Sequence, residues 1–437
     1  MTADVVIPLL MIALLIAGIL SSYPVALVLG GTATLALLVS DLPISFANLL
    51  VSRVYGNILT NWLFLSIPMF IAMGLLLEMS GFAARALVDL QRAFGNRRGG
   101  LGVAVILIGA LMAAATGVVG ASVVMLTLLS LPKMQNQGYS NDLAGGIVAA
   151  SGTLAILMPP SIMLIILSDQ LGVGVGDLFA GSIVPSAILI GLYLAYTILR
   201  ATLYPDHAPA ARQTERFNVW QILIGIGPLL VLIFCVLGAI IFGIASPTEA
   251  SGVGALGAAL LTFTNGRMTG PNMRRVSIDT MRNTTAVLFL AIGATCFSAV
   301  FRGVGGEDLI VNVLEHAQLD AWGTLIVLMM AMIVMGFFLD WLEIVLILLP
   351  IFGPIVAGLD FGNGLDTNHQ MIWFAIIVAV NLQTSFLTPP FGFSLFYMRS
   401  ASRGTISNRD TYRGVLPFVA LQLLTLLIII VWPGILI

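Results

Sequence analysis

The chain has 437 residues, of which 59% are hydrophobic and 9% charged, with a net charge of −2 and a mean hydropathy of +1.07. A soluble domain carries about 25% charged residues, so this composition excludes a soluble globular protein and describes an all-α polytopic membrane protein. No nucleic-acid partner is expected; the lipid bilayer is the first one.

A span needs about 20 apolar residues. Apolar runs place helices near 5–20, 24–40, 61–79, 143–168, 178–199, 219–243, 247–263, 284–301, 370–398 and 414–435. The N-terminus, MTADVVIPLL, has no basic n-region and no cleavage site, so the first run is expected to stay as a helix. Segment 41–60 is moderately apolar and holds Arg53, which suits an interfacial helix on the outer surface. Two stretches remain, 100–131 and 321–357. Each fits either two short spans or one re-entrant hairpin, and arms of about 15 residues favour the hairpin. The longest polar stretch, roughly 204–218, reads as a cytoplasmic loop between two halves. Cys235 and Cys296 lie in apolar runs and read as small core residues. His207, His316 and His369 sit far apart in loops, so no transition-metal site is expected.

Charge orients these elements. With both stretches as hairpins and the N-terminus outside, 16 of the 18 Lys and Arg fall on one side, leaving only Arg53 and Arg302. Basic loops mark the cytoplasm. Both termini are then periplasmic, the first hairpin enters from inside and the second from outside. Two full spans would give the same loop placement, so charge alone does not exclude them.

The second half repeats the first. IPMFIAMGLLLEMSG (67–81) faces VLFLAIGATCFSAVF (287–301), with Gly74 opposite Gly293. SLPKM (130–134) and LLPIF (348–352) pair Pro132 with Pro350, and the third anchor pairs Pro159–Pro160 with Pro389–Pro390. The expected organisation is N-terminal scaffold helices and arm over 1–60, then a first repeat over 61–200 with hairpin 100–131 and broken helix 143–168. A connecting loop and scaffold helices cover 201–283. The second, inverted repeat covers 284–437 with hairpin 321–357 and broken helix 370–398. Paired breaks of this kind are what a secondary transporter carries at its binding site.

Proline has no N–H to give and clashes with the preceding turn, so upstream carbonyls lose their partners. Those carbonyls, with the hydroxyls of Ser151, Thr153, Thr384 and Ser385, are hard oxygen ligands suited to Na⁺. Half-helix N-termini suit a carboxylate. The candidates in the first half are Thr116, Gly117, Gly120, Ser122, Ser151, Gly152, Thr153, Pro159 and Pro160. Those in the second half are Gly336, Asp340, Glu343, Asn381, Thr384, Ser385, Thr388, Pro389 and Pro390. The bland reading is that the prolines are mere kinks and that Gly117, Gly120 and Ser122 serve close helix packing.

Asp340 and Glu343 are the acids well inside an apolar segment, where an ionised carboxylate costs at least about 2.5–3.5 kcal/mol. Asp340 reads as a cation-site residue or as a polar staple of its hairpin; Glu343 lies one turn on. Arg302 reads as an outer contact for the substrate carboxylate or as a helix anchor. Glu249, in SPTEASG, reads as a helix N-cap residue. GVGALG (252–257) fits G-x-G-x-x-G, but no strand precedes it and helix packing explains it. Aspartyl chemistry within the membrane needs two carboxylates brought together. No second helix offers one, so an intramembrane enzyme is a remote alternative and the chain is not expected to be an enzyme.

Several segments resemble one family: SIPMFIAMG (66–74), FGNRRGGLGVA (94–104), ASGTLAILMPPS (150–161), DLFAGSIVPS (177–186), GFFLDWLEIVLILLPIFGPI (336–355) and TPPFGF (388–393). Together they resemble the large membrane subunit of tripartite ATP-independent periplasmic (TRAP) transporters, of the wider ion-transporter group. The likeness covers essentially the whole chain. ATGVVGASVV, SLPKM and GYSNDLAGG look most like a branch associated with 2-oxo acids, mannitol or chloroaromatic compounds. Ala155 and Ser186 depart from the family, which commonly has Gly and Pro-Gly there; this puts local packing in doubt.

The resemblance implies about ten transmembrane helices plus two re-entrant hairpins, in an elevator-type, Na⁺-coupled importer of a small organic acid in the bacterial inner membrane. It implies two partners, a periplasmic solute-binding protein and a small four-helix membrane subunit. The alternative within membranes is a stand-alone Na⁺/anion symporter. The sequence names no substrate.

Overall fold

The computed structural model describes all residues except 1–2, 22, 95, 211–218, 390–391 and 437, and the described residues form helices without a strand. The first helices are α1 (Ala3–Leu20), α2 (Val25–Val39), α3 (Phe46–Val54, continued by a π-turn over Tyr55–Leu59), α4 (Trp62–Met79) and α5 (Phe82–Phe94). A helical hairpin follows, α6 (Gly100–Thr116) and α7 (Val119–Asn136). The first broken helix is α8 (Asn141–Thr153), a 3₁₀ turn over Leu154–Ile156, and α9 (Ile162–Leu171). Then come α10 (Val175–Leu203), α11 (Val219–Ile241), α12 (Pro247–Thr264), α13 (Gly270–Gly303) and α14 (Gly306–His316). The second hairpin is α15 (Ala321–Met335) and α16 (Trp341–Ala357), the second broken helix α17 (Thr367–Leu387) and α18 (Phe393–Ser402), and α19 (Asn408–Val431) closes the chain.

Among the described residues, five helices are long and apolar enough to cross a bilayer: α4, α10, α13, α17 and α19. The polytopic reading holds. Three parts were not among the expected elements. They are α5, α14 and the first turns of α13, which begins at Gly270 and runs unbroken past position 283. The reason is amphipathicity. α5 buries Phe82, Ala83, Ala86, Leu87 and Leu90 on one face and leaves polar residues on the other, so it contains no apolar run.

Packing separates two groups of helices. In the first, α4 lies along α12 and α13, α13 along α2, and α2 beside α1. In the second, α8 is surrounded by α6, α7 and α19, while α17 packs on α15, α19 and α10. The groups meet where α4 touches α6 and α9, and where α13 touches α16. The two broken helices are the inside of the second group. Every residue from Leu143 to Thr153 and from Gln370 to Leu387 is buried. A break in a membrane helix is tolerable only in such a place, out of contact with lipid.

Small residues set the closest crossings. A Cβ built on Gly146 would lie 2.7 Å from the backbone carbon of Gly414, and one on Gly414 would lie 2.8 Å from that of Asp142. The backbones of α8 and α19 therefore touch directly, as small residues permit between membrane helices. In GVGALG, Gly254 of α12 faces Met73 and Gly257 faces Leu232, so these two glycines serve helix packing, while Gly252 meets open space. Replacing Gly414 with Ala should cost about 1–3 kcal/mol through overpacking. Thermal unfolding of the detergent-solubilised G414A protein should show a lowered midpoint, and an unchanged midpoint would contradict this crossing.

Candidate functional site

Each Pro-Pro element interrupts a buried helix, and the freed carbonyls must find partners. In the first half the Ser161 hydroxyl lies 3.0 Å from the Ala155 carbonyl oxygen and 2.9 Å from that of Ile156, sharing one proton between them. The Ser186 hydroxyl, reaching over from α10, donates to the Leu157 carbonyl at 3.3 Å. Through this bond the Ser186 hydroxyl compensates the break. In the second half the Ser394 hydroxyl donates to the Phe386 carbonyl at 2.9 Å. Ile156 and Phe386 stand at the same distance before their Pro-Pro pairs, so both halves use one solution: a serine from the following half-helix turns back to an orphaned carbonyl. Pro159 and Pro160 lie in the first break and Pro389 in the second; Pro390 lies outside the described residues.

The first hairpin closes on the first break. Gly117 ends α6 in the left-handed conformation, with φ +60°, and a Cβ there would lie 3.3 Å from the Ile162 nitrogen. Thr116 donates to the Met112 carbonyl at 2.9 Å, and its hydroxyl pairs with that of Ser122 at 2.7 Å. Neither α7 nor α9 has a side-chain cap at its N-terminus. Two uncapped positive helix ends therefore come together at the Gly117 turn. Gly120 sits against the Tyr397 ring of α18, where a Cβ would lie 3.0 Å from the ring. Ser151 faces Gly109 and its buried hydroxyl has no hydrogen-bond partner; Gly152 packs on Val123.

The second hairpin closes on the second break differently. Its link, 336–340, has five residues against two in the first hairpin. A Cβ on Gly336 would lie 2.6 Å from Cβ of Ser385. Asn381 donates through Nδ2 to the Met329 carbonyl at 2.9 Å, while its buried Oδ1 has no partner. Thr384, Ser385 and Thr388 turn their hydroxyls to the carbonyls of Val380, Leu382 and Thr384.

Asp340 and Glu343 form the capping box of α16. Asp340 Oδ1 accepts from the Trp341 N–H at 2.8 Å, and Glu343 Oε2 accepts from the Asp340 N–H at 3.1 Å. Both carboxylates thus hold the N-terminus of the second hairpin's inner arm, where negative charge offsets the helix dipole. Glu249 forms the corresponding capping box with Ser246 on α12.

A buried amide cluster joins the two halves and was not among the sequence candidates. Gln383 and Gln422 each donate to the Thr153 hydroxyl at 3.4 Å, and Gln422 also donates to the Tyr193 hydroxyl at 2.9 Å. The Oε1 atoms of both glutamines are buried without partners. A lone amide inside the apolar run VALQLLTLL was the available signal.

Arg302 lies apart from the breaks. With Arg53 it lines a cavity of about 410 Å³ between α3, α4 and α13 on one side and α9 and α16 on the other.

Comparison with known proteins completes the assignment. Residues 10–435 match the family model described as tripartite ATP-independent periplasmic transporter, DctM component. The chain is 30% identical, over 86% of its length and 85% of the relative, to a C4-dicarboxylate TRAP transporter large permease protein of Pseudomonas aeruginosa. It is 29% identical, over 98% of its length and 97% of the relative, to a protein of the same description from Rhodobacter capsulatus. Its fold resembles the crystal structure of the YdaH transporter of Alcanivorax borkumensis, with a TM-score of 0.58, 14% identity and 98% of each chain covered. The chain belongs to the DctM component family of tripartite ATP-independent periplasmic transporters, as a membrane permease and not an enzyme.

Proposed function

We propose that this permease imports a small organic acid, of C4-dicarboxylate or 2-oxo acid type, with Na⁺ as the coupled ion. A periplasmic solute-binding protein delivers the acid, and a small four-helix subunit completes the complex in the bacterial inner membrane. Both termini are periplasmic and both hairpins re-entrant. The observation that carries this reading is the set of buried oxygens without partners beside the two breaks: Ser151 Oγ, Asn381 Oδ1 and Gln383 Oε1. Such oxygens, grouped on the buried helices that lead into the breaks, suit a hard monovalent cation. Na⁺ is here a co-transported substrate.

The two halves divide the work by charge. The first offers the uncapped N-termini of α7 and α9, which favour a carboxylate. The second offers the neutral oxygens of Asn381 and Gln383, which suit a cation, and carries the Asp340 and Glu343 carboxylates at the start of α16. An elevator movement fits the packing, because the broken helices are sealed inside their own group and travel with it rather than through lipid.

The test is uptake into proteoliposomes holding the permease with its small subunit, supplied with the binding protein and that protein's own ligand. An inward Na⁺ gradient should drive uptake and a K⁺ gradient should not; equal uptake under both would overturn the coupling. Asn381→Ala should raise the half-saturating Na⁺ concentration about tenfold, the loss of one charge-assisted ligand bond. Asp340→Asn keeps a good N-cap, so its thermal midpoint should match the parent while its Na⁺ requirement rises; Asp340→Ala should also lose about 0.5–2 kcal/mol of stability. An unchanged Na⁺ requirement in D340N would leave Asp340 with capping alone.

A further inference from the structure

We infer that the outer cavity is a receiving site for the carboxylate of the incoming acid, built on Arg53 and Arg302. The inference rests on the import reading. Its ground is the convergence of the two basic residues that stand outside the cytoplasmic set onto one cavity. Arg53 comes from the surface helix α3 and Arg302 from the end of α13, 249 positions apart in the numbering yet on one wall. Among the described residues neither has a carboxylate within ion-pair distance. Arg302 donates to the Ser298 hydroxyl at 3.4 Å, and its buried Nε–H has no partner.

One acid shares the cavity. Asp169 Oδ1 accepts from Asn61 Nδ2 at 2.5 Å and Oδ2 from Gln170 Nε2 at 2.8 Å. Both of its oxygens are thus engaged by neutral amides. The guanidinium groups remain available, and two of them against one carboxylate leave the cavity positive. Its volume of about 410 Å³ lies within the range of small-ligand sites, about 300–1,000 Å³. Guanidinium forks match carboxylates in geometry as well as charge.

Position gives the site its place in the cycle. The α3, α4 and α13 wall belongs to one helix group, and the wall of α9 and α16 to the other. Arg302 also borders a wider outer depression beside α14, with Asp308 and His316. An anion passing inward from that depression meets Arg302 first and the second hairpin next.

The test needs no gradient. The permease, purified with its small subunit, is treated with phenylglyoxal, and guanidinium labelling is read peptide by peptide at constant ionic strength. The probe is succinate, with succinamide as its uncharged twin and cytoplasmic Arg399 as the internal control. Succinate should slow labelling of Arg53 and Arg302, leaving Arg399 unaffected, and succinamide should protect neither. Arg302→Gln should raise the succinate concentration that protects Arg53 about tenfold, as loss of one charged hydrogen bond implies. Arg302→Lys, which keeps the charge, should give an intermediate value and serves if R302Q fails to assemble. Labelling of Arg53 and Arg302 indifferent to succinate overturns the inference. Labelling suppressed in phosphatidylglycerol nanodiscs, and insensitive to succinate there, assigns the pair to lipid head groups and overturns it too. Import without protection removes this inference alone, and protection without Na⁺-driven import removes the coupling alone.

Discussion

A helix broken inside a bilayer strands carbonyl groups that no lipid can satisfy. Ser161 and Ser394 answer that problem from the same side in both halves, each turning its hydroxyl back onto a carbonyl ahead of its prolines. The repair works only in a dry, closely packed setting. Hence the burial of α8 from Leu143 and of α17 from Gln370, the hairpins laid over them, and the glycine crossing that presses α19 onto α8. Ser151 Oγ, Asn381 Oδ1 and Gln383 Oε1 remain without a protein partner after this repair.

The two repeats share a backbone plan and differ in electrostatics. A two-residue turn at Gly117 brings together helix ends that have no side-chain cap. The five-residue link of the second hairpin ends in a carboxylate pair that caps α16. The two units therefore present different charge at their hairpin turns. The amide cluster of Gln383, Gln422, Thr153 and Tyr193 ties them together at the centre.

Much of this was legible before any coordinates. Pro159–Pro160 and the second Pro-Pro pair announced the breaks, since proline in an apolar run has few other meanings. Gly117, with Gly120 and Ser122, marked the first hairpin link. Helices α5 and α14 were missed because an amphipathic helix leaves no apolar run to find. The repair serines were missed for another reason. A serine beside a proline is common, and only the fold shows that Ser394 folds back over eight residues to Phe386. The carboxylates of Asp340 and Glu343 drew notice as an electrostatic oddity, and their three-residue spacing before an apolar run was a capping signature in plain view. Arg53 and Arg302 were separable from the other basic residues by topology, but not visible as neighbours.

The enclosure of α17 from Gln370 to Leu387 has a consequence for how the protein is made. Its mean hydropathy of 1.5 is the lowest of the five long spans, which reach 2.6. Asn381, Gln383, Thr384 and Ser385 give it little reason to leave the insertion machinery for lipid alone. Its residence in the membrane depends on α15, α19 and α10 packing around it. Of these partners α10 and α15 precede it in the chain and α19 follows, so α17 is held by helices already made and its enclosure is completed only when α19 emerges.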